Sequence, residues 1–462
     1  MRQCSKSKLE RVRYALDEGH PGEGEPVGAS GRAGLASFVE FIARLEVPRV
    51  LSERVRLPVQ ARKNGFTATQ KSLALLTALA AGSRSARDSD FTVGPDPVVP
   101  AALGLPRWPH SSQLTRHLRA FRPQQVRALR LAGEDLLGAH SAARRRRRRG
   151  QRVVIDIDQT PLSANGRTYQ RTARGHLKKR GDRGYQATAG FAGDPSGGED
   201  EVLAIFLDPG NAHATWRFAD ALAALERVLG PLERLPGLIW RFDAQDATAD
   251  DLALLLRRRI GFIGRRYADR TAATWAREHA AALDWHELSP IKWVADLGTG
   301  PVSPGRPDVC CRRVLVRSTG ARHRAGYTAI VTNVSAAEIA LPEAEPFYEA
   351  RQTIEGWLSE ATAALQLKGL WSRSFDGLEA FLLLAALASN LLTWWARRVV
   401  WAGCARPPLG LRQLIARVIT VPARVLQTWH GQFLFLLPPA HPYAHRLLPP
   451  NPGRQLPLPW VT

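Results

Sequence analysis

Between residues 34 and 143, apolar positions recur at three- and four-residue steps, in GLASFVEFIARL, TQKSLALLTALAAG and SQLTRHLRAFRPQQVRALRLAGEDLL. That is the period of helices with one buried face, and it predicts an all-helical N-terminal domain with Thr69 and Ser111 as N-caps. Before it, residues 1–33 are polar and glycine-rich and predict a loose leader. After it, the run Arg144 to Arg149 sets like charges side by side. Their mutual repulsion predicts an extended linker over 144–150, either solvated or lying along a polyanion.

The period then changes to two. VVIDID at 153–158, GYQATAGFA at 184–192 and VLAIFLD at 202–208 predict three strands in a meander. A helix from Ala214 to Leu229, the strand LIWRFD at 238–243, a helix over 249–259 and the short strand GFIGRR follow. Alternation of this kind predicts an α/β layer structure with a mixed sheet over 151–266. Residues 267–335, with ELSPIKWVADL, RRVLVRST and GYTAIVTNVS among Gly and Pro, read as a β-rich insertion. Helices resume over 336–402, and 403–462 is a proline-rich C-terminal region. The most apolar stretch, FLLLAALASNLLTWWA at 381–396, is short for a membrane span and carries Ser389 and Asn390, so it predicts a buried helix and no membrane partner.

Composition narrows the class. A chain of 462 residues is long enough for several cores. Its formal net charge of +22 and isoelectric point near 10.9 suit a polyanionic partner, nucleic acid first, because neutralising phosphates releases counter-ions. The cysteines, Cys4, Cys310, Cys311 and Cys404, form no CxxC pair and have no histidine at metal spacing, which supports neither a zinc site nor a disulfide framework and fits a reducing cytoplasm. The N-terminal MRQCSKSKLERVRYALDEG lacks the apolar core of an ordinary signal peptide.

The chemistry rests on acidic residues in three settings. In VVIDIDQT, strand alternation puts Asp156 and Asp158 on one face, where each needs a cation, an arginine or water. Asp243 ends the strand LIWRFD, at the edge where open α/β sheets carry active groups, although an Asp in this setting, taken alone, is more often a helix cap. In FYEARQTIEGWLSE, read as one helix, Tyr348, Arg351, Glu355 and Thr362 share a face, and Arg351 with Glu355 can also be a plain surface ion pair. Carboxylates from separate elements can converge on two divalent cations and serve phosphoryl transfer.

The order of these words along the chain resembles the DDE transposases of bacterial insertion sequences, in the insertion sequence 4 superfamily and most closely the insertion sequence 1380 family. The resemblance runs from about residue 34 to 396 and rests on DIDQT, GYQAT, DPGNAHA and RFDAQD in order, then Tyr348-x2-Arg351-x3-Glu355 and SRSFDGLEAFLLLAALASNLL. It implies a ribonuclease-H-like mixed sheet interrupted by the β-rich insertion, with Asp158, Asp243 and Glu355 as catalytic residues binding two Mg²⁺ or Mn²⁺ ions. Asp156 is the reserve for Asp158. It further implies double-stranded DNA as partner, both transposon ends and target, a homodimer in the DNA complex, and work on the nucleoid. Tyr348, Arg351, Arg116, Lys178 and Lys179 are the expected DNA contacts, and Trp285 and Trp293 are candidates to stack on a displaced base. The chain departs from the pattern at Thr362, where a lysine is expected, and at Asp246, where an aromatic is expected. A repressor derived from such an element, or a nuclease without strand transfer, are the alternatives.

Overall fold

A computed structural model describes residues 12–18, 24–57, 65–175, 177, 181–194, 199–232, 237–243, 247–266, 270–302, 305–319, 325–404, 408–429 and 431–448. The chain divides into two compact units, one of Met1–Leu136, Pro195–Glu199 and Glu360–Thr462, the other of Leu137–Asp194 and Asp200–Ser359.

The second unit is mixed α/β, built on a ten-stranded sheet. Val153–Ser163 pairs antiparallel with Arg183–Ala192, which pairs antiparallel with Glu201–Pro209 and, at its start, with the short strand Ala173–Arg174. On its other side Val153–Ser163 pairs in parallel with Leu238–Phe242, which pairs in parallel with Gly261–Arg266. The parallel steps require crossovers, supplied by the helices Phe218–Leu229 and Ala249–Arg257. Trp240 stacks on Phe218 at 4.9 Å and 10°, fastening the first crossover helix to the fourth core strand.

The β-rich stretch does not stand apart from this sheet. Ala325–Thr332 pairs antiparallel with Gly261–Arg266, and Cys310–Thr319, Lys292–Pro301 and His286–Ser289 follow it in antiparallel order. The insertion therefore extends the sheet, burying Val294, Val314, Val316 and Ile330 in the same cluster as Ile239 and Ile263.

The arginine run is not an extended linker either. Residues Ala142–Arg148 form a helix whose N-terminus is closed by Ser141 and by the fully buried Glu201, which accepts from Ser141 Oγ at 2.5 Å, Ala142 N at 2.7 Å and Ala143 N at 3.0 Å. Arg146 pairs with Asp194 at 3.0 Å, Arg144 donates to the Gly138 carbonyl at 2.6 Å, and Arg147 donates to the carbonyls of Gly230 and Pro231. Each of these charges has a partner, which offsets the repulsion that predicted an open chain.

The first unit corrects the all-helical expectation. Val12–Leu16 and Glu25–Ser30, inside the stretch expected to be a loose leader, are strands. They join Phe433–Leu437 and Ala423–Gln427 in a four-stranded sheet. The helices Ala33–Arg44, Ala68–Ala80, Ser111–Arg119 and Pro123–His140 follow the predicted periodicity. Their caps move by a residue or two: Thr67 forms a capping box with Gln70, and His110 precedes Ser111–Arg119. Helix Phe375–Trp395 is buried nearly all round and packs on Ala68–Ala80 and Ser111–Arg119. With its continuation to Val400 it is, among the described residues, the one helix long and apolar enough to cross a membrane, and most of that apolar stretch is buried inside the protein.

Among the described residues of this unit, Gly34 marks the tightest approach of a glycine to backbone atoms. A Cβ there would lie 2.1 Å from the Val418 carbonyl oxygen and 2.8 Å from Ile419 Cα, both backbone atoms. Gly34→Ala should cost about 1–3 kcal/mol through overpacking, read as a lower urea midpoint with an unchanged slope.

Candidate active site

The site begins with a register. The parallel ladder sets Asp156 of Val153–Ser163 beside Arg241 of Leu238–Phe242. Side chains alternate along a strand, so the residues two further along each, Asp158 and Asp243, emerge on that same face just beyond the buried pair.

Asp156 and Arg241 bind each other. Arg241 Nε lies 2.6 Å from Asp156 Oδ1 and Arg241 Nη2 lies 2.8 Å from Oδ2, a bidentate fork in which Asp156 is fully buried and Arg241 nearly so. The other donors of Arg241 reach the carbonyls of Phe347 at 2.6 Å and Ala350 at 3.1 Å, and Thr353 Oγ1 donates to Asp156 Oδ2 at 3.3 Å. Burial pushes the Asp156 carboxyl up, against the hydrogen bonds and charge of Arg241 that pull it down.

Those carbonyls belong to a break in what the periodicity predicts as one helix. Leu341–Glu349 ends, Ala350 and Arg351 turn, and Gln352–Ala364 begins. A helix C-terminus leaves carbonyls unpaired, and a guanidinium aimed at them stabilises the stop. Tyr348 and Glu355 therefore lie on different helices. Glu355 takes the first turn of the second, where the helix dipole favours a carboxylate. Ile354, Trp357 and Leu358 are buried, with Trp357 stacked 5.7 Å from Phe191 of the second core strand.

Arg351, in the turn, is the centre of the arrangement. Its Nη1 lies 3.6 Å from Asp158 Oδ1, and its Nη2 lies 3.2 Å from Glu355 Oε1 and 3.9 Å from Asp243 Oδ2. Nη1 also donates to the Ile157 carbonyl at 3.4 Å. The side chain of Arg351 is 9% exposed, those of Asp158 and Asp243 20% and 21%, and that of Glu355 56%, so the cluster opens to solvent on the Glu355 side. Burial pushes the Asp158 carboxyl up; Arg351 and the Gln159 amide, 2.8 Å from Oδ1, pull it down, and Glu355 and Asp243 push it up further.

The structure thus brings Asp158, Asp243 and Glu355 together and gives Asp156 a structural partner. Other expected contacts fall elsewhere. Tyr348 is buried in the core, with Arg265 stacked 4.5 Å from its ring centre, so it is not displayed for a phosphate as one face of a continuous helix would be. Arg351 points into the carboxylates instead of outward. Arg116 belongs to the other unit, exposed on Ser111–Arg119, with its Nε on the Ser112 carbonyl at 3.1 Å. Lys178, Lys179 and Asp246 lie outside the described residues. Trp285 and Trp293 hold Arg317 between them, 4.7 and 4.5 Å from the ring centres. The sequence reading missed Arg241; its signal is a lone arginine in an apolar strand, at the step that faces a strand carrying two aspartates.

Among the described residues no three His, Cys, Asp or Glu side chains stand grouped as ligands for a metal ion; here a guanidinium lies among the carboxylates. The donor set nevertheless fits a hard cation. It is three carboxylates from three elements, with no sulfur or imidazole among them.

A family model described as transposase DDE domain group 1 matches residues 24–449. The chain belongs to that family. It is a family of transposase domains, so the enzyme class is transposase. No curated protein matches the chain. Among solved structures, the chain is similar to a cryo-EM structure of the piggyBac transposase synaptic complex with hairpin DNA, with a TM-score of 0.44 and 10% identity over 85% of this chain and 81% of that one.

The two aspartates of the first strand should respond oppositely to neutralisation. Asp156→Asn strands a buried guanidinium and should cost about 3–5 kcal/mol. Asp158→Asn relieves a carboxylate whose folded pKa is raised, and should leave the metal-free protein unchanged or up to about 1 kcal/mol more stable near neutral pH. The sign follows from linkage: an acid with a raised folded pKa destabilises above that pKa, and the penalty fades as pH falls through it toward the unfolded value. Urea midpoints followed from pH 7 downward without divalent ions test both, and the gap between wild type and Asp158→Asn should narrow as pH falls through the raised folded pKa toward the unfolded value.

Proposed function

We propose that this chain is a DNA transposase of an insertion sequence, acting through a ribonuclease-H-like unit on the ends of its own element. One observation carries the reading: Asp158, Asp243 and Glu355, from two adjacent parallel strands and a helix, all lie within 3.9 Å of one cation, the guanidinium of Arg351. The strand order supports the ribonuclease-H-like assignment, since a three-stranded antiparallel meander is continued by two parallel strands from its first member. Membership of the insertion sequence 4 superfamily, closest to the insertion sequence 1380 family, is proposed on the local words and their order.

Asp158, Asp243 and Glu355 are the residues that would hold two Mg²⁺ or Mn²⁺ ions. Bound there, such ions supply activation of an attacking oxygen and stabilisation of a leaving oxygen at a phosphodiester. The chain's own work is positioning. Arg241 and Asp156 fix the strand ends and the helix start, so that three carboxylates from distant parts of the sequence present oxygens to one place. The Gln159 amide orients Asp158 at 2.8 Å. The excess of positive charge supplies sequence-independent affinity for the DNA backbone, with the exposed Arg116 of helix Ser111–Arg119 in the first unit as one contact. Two ends must be handled together, which calls for a homodimer on DNA in the bacterial cytoplasm.

With DNA carrying the element's own ends, Mg²⁺ or Mn²⁺ should elicit strand breaks that Asp243→Asn and Glu355→Gln reduce by at least about 100-fold while end binding persists. Cleavage surviving in both variants sinks the triad, and end binding without cleavage by the wild type indicates a repressor. Cleavage without joined target products leaves a nuclease.

A further inference from the structure

The site holds two arginines that behave differently. Arg241 is locked, with its fork on Asp156 at 2.6 and 2.8 Å and carbonyls filling its remaining reach. Arg351 is shared: it donates to the Ile157 carbonyl at 3.4 Å and to Glu355 at 3.2 Å, while its distances to Asp158 and Asp243, 3.6 and 3.9 Å, exceed hydrogen-bond length. A guanidinium placed between three carboxylates at such distances answers to their summed charge more than to one directed bond. It also stands where a cation would have to stand to touch all three.

We propose that Arg351 is the built-in counter-ion of the carboxylate cluster, neutralising it while no divalent ion is bound and withdrawing when ions enter. The inference rests on the reading that Asp158, Asp243 and Glu355 hold those ions. Three carboxylates drawn together need positive charge in every state of the enzyme, or their repulsion pushes the strand ends and helix apart. A guanidinium and a divalent ion cannot share the position, because like charges a few ångströms apart inside a partly buried cleft repel strongly. Metal binding is then an exchange, ion in and guanidinium out. The open side of the cluster is the Glu355 side, 56% exposed, so the displaced guanidinium is delivered to the mouth of the cleft. There it can pair with a phosphate of incoming DNA, as a planar fork donor does. The phosphate contact expected of this arginine therefore becomes conditional on metal. Ion and DNA should reinforce each other's binding, and by linkage the reinforcement is reciprocal.

The test is Mn²⁺ affinity of the full-length chain without DNA, for wild type, Arg351→Gln, Arg351→Lys, Asp243→Asn and Glu355→Gln. The proteins are purified with Mn²⁺ and titrated with a chelator, so that a metal-free form too unstable to isolate still yields a Kd. Arg351→Gln should bind Mn²⁺ at least about tenfold more tightly than wild type, and its thermal midpoint should fall further than the wild type's when the metal is removed. Arg351→Lys, which keeps the charge, should stay close to wild type. If Arg351→Gln binds Mn²⁺ no tighter while Asp243→Asn and Glu355→Gln weaken binding, the counter-ion role is overturned and the metal site stands. If Arg351→Lys tightens binding as much as Arg351→Gln, guanidinium bulk and not charge is what blocks the ion, and the inference is likewise overturned. If neither Asp243→Asn nor Glu355→Gln weakens Mn²⁺ binding, both readings fall.

Discussion

The pairing of Asp156 with Arg241 is the constraint on which the site depends. An ion pair buried between adjacent strands adds little net stability, since the desolvation of both charges offsets their attraction. What it supplies is specificity of arrangement. The pair is satisfied only when the two parallel strands are in one register, since a slip of one residue would turn Asp156 and Arg241 to opposite faces. It is satisfied only when the chain after Leu341–Glu349 stops being helical, because Arg241 needs the Phe347 and Ala350 carbonyls and Asp156 receives Thr353. One interaction thus sets the level of Asp158 against Asp243 and the start of the helix that presents Glu355.

This explains what could and could not be read from the chain. The strands of the core meander were legible because Arg183–Ala192 and Glu201–Pro209, buried along nearly their whole length, leave short runs of apolar and small residues bounded by turns, and Asp156 and Asp158 stand out in the apolar run of Val153–Ser163. Two carboxylates on one face signalled that each needed a partner, but not that one partner was Arg241, 85 residues away. The helix break was illegible for the same reason. The apolar period of FYEARQTIEGWLSE runs straight through Ala350 and Arg351, and what ends the helix is a cation delivered from a strand. Reading through the break placed Tyr348 beside Glu355, whereas the turn buries Tyr348 under Arg265. At the N-terminus, VRYAL becomes a strand only through its ladder partner Phe433–Leu437, which lies at the far end of the sequence. The arginine run misled because charge repulsion is a local rule, while Asp194 and the Gly230 carbonyl that answer Arg146 and Arg147, and the Glu201 that caps their helix, are distant in sequence.

The β-rich insertion belongs to the same logic. Glu345, 2% exposed on the helix that ends at the break, is paired with Arg265 and, at 3.1 Å, with Lys292. Lys292 also pairs with Glu349 at the end of that helix, and its ammonium is held above the ordinary lysine range by the two carboxylates, although burial works against them. Arg265 lies on the last parallel strand and Lys292 on a strand of the insertion, three places apart in one sheet. The insertion could not hold this helix if it were a separate lobe. Because its strands continue the sheet, they carry a cation to the face on which Leu341–Glu349 rests, and the helix is tethered at Glu345 and Glu349 before Arg241 caps it. Carboxylate, arginine and lysine positions that look like scattered surface charge in the sequence are thus one chain of support. It runs from the insertion through the helix to the turn holding Arg351, and what it holds in place is the single position that the three carboxylates share.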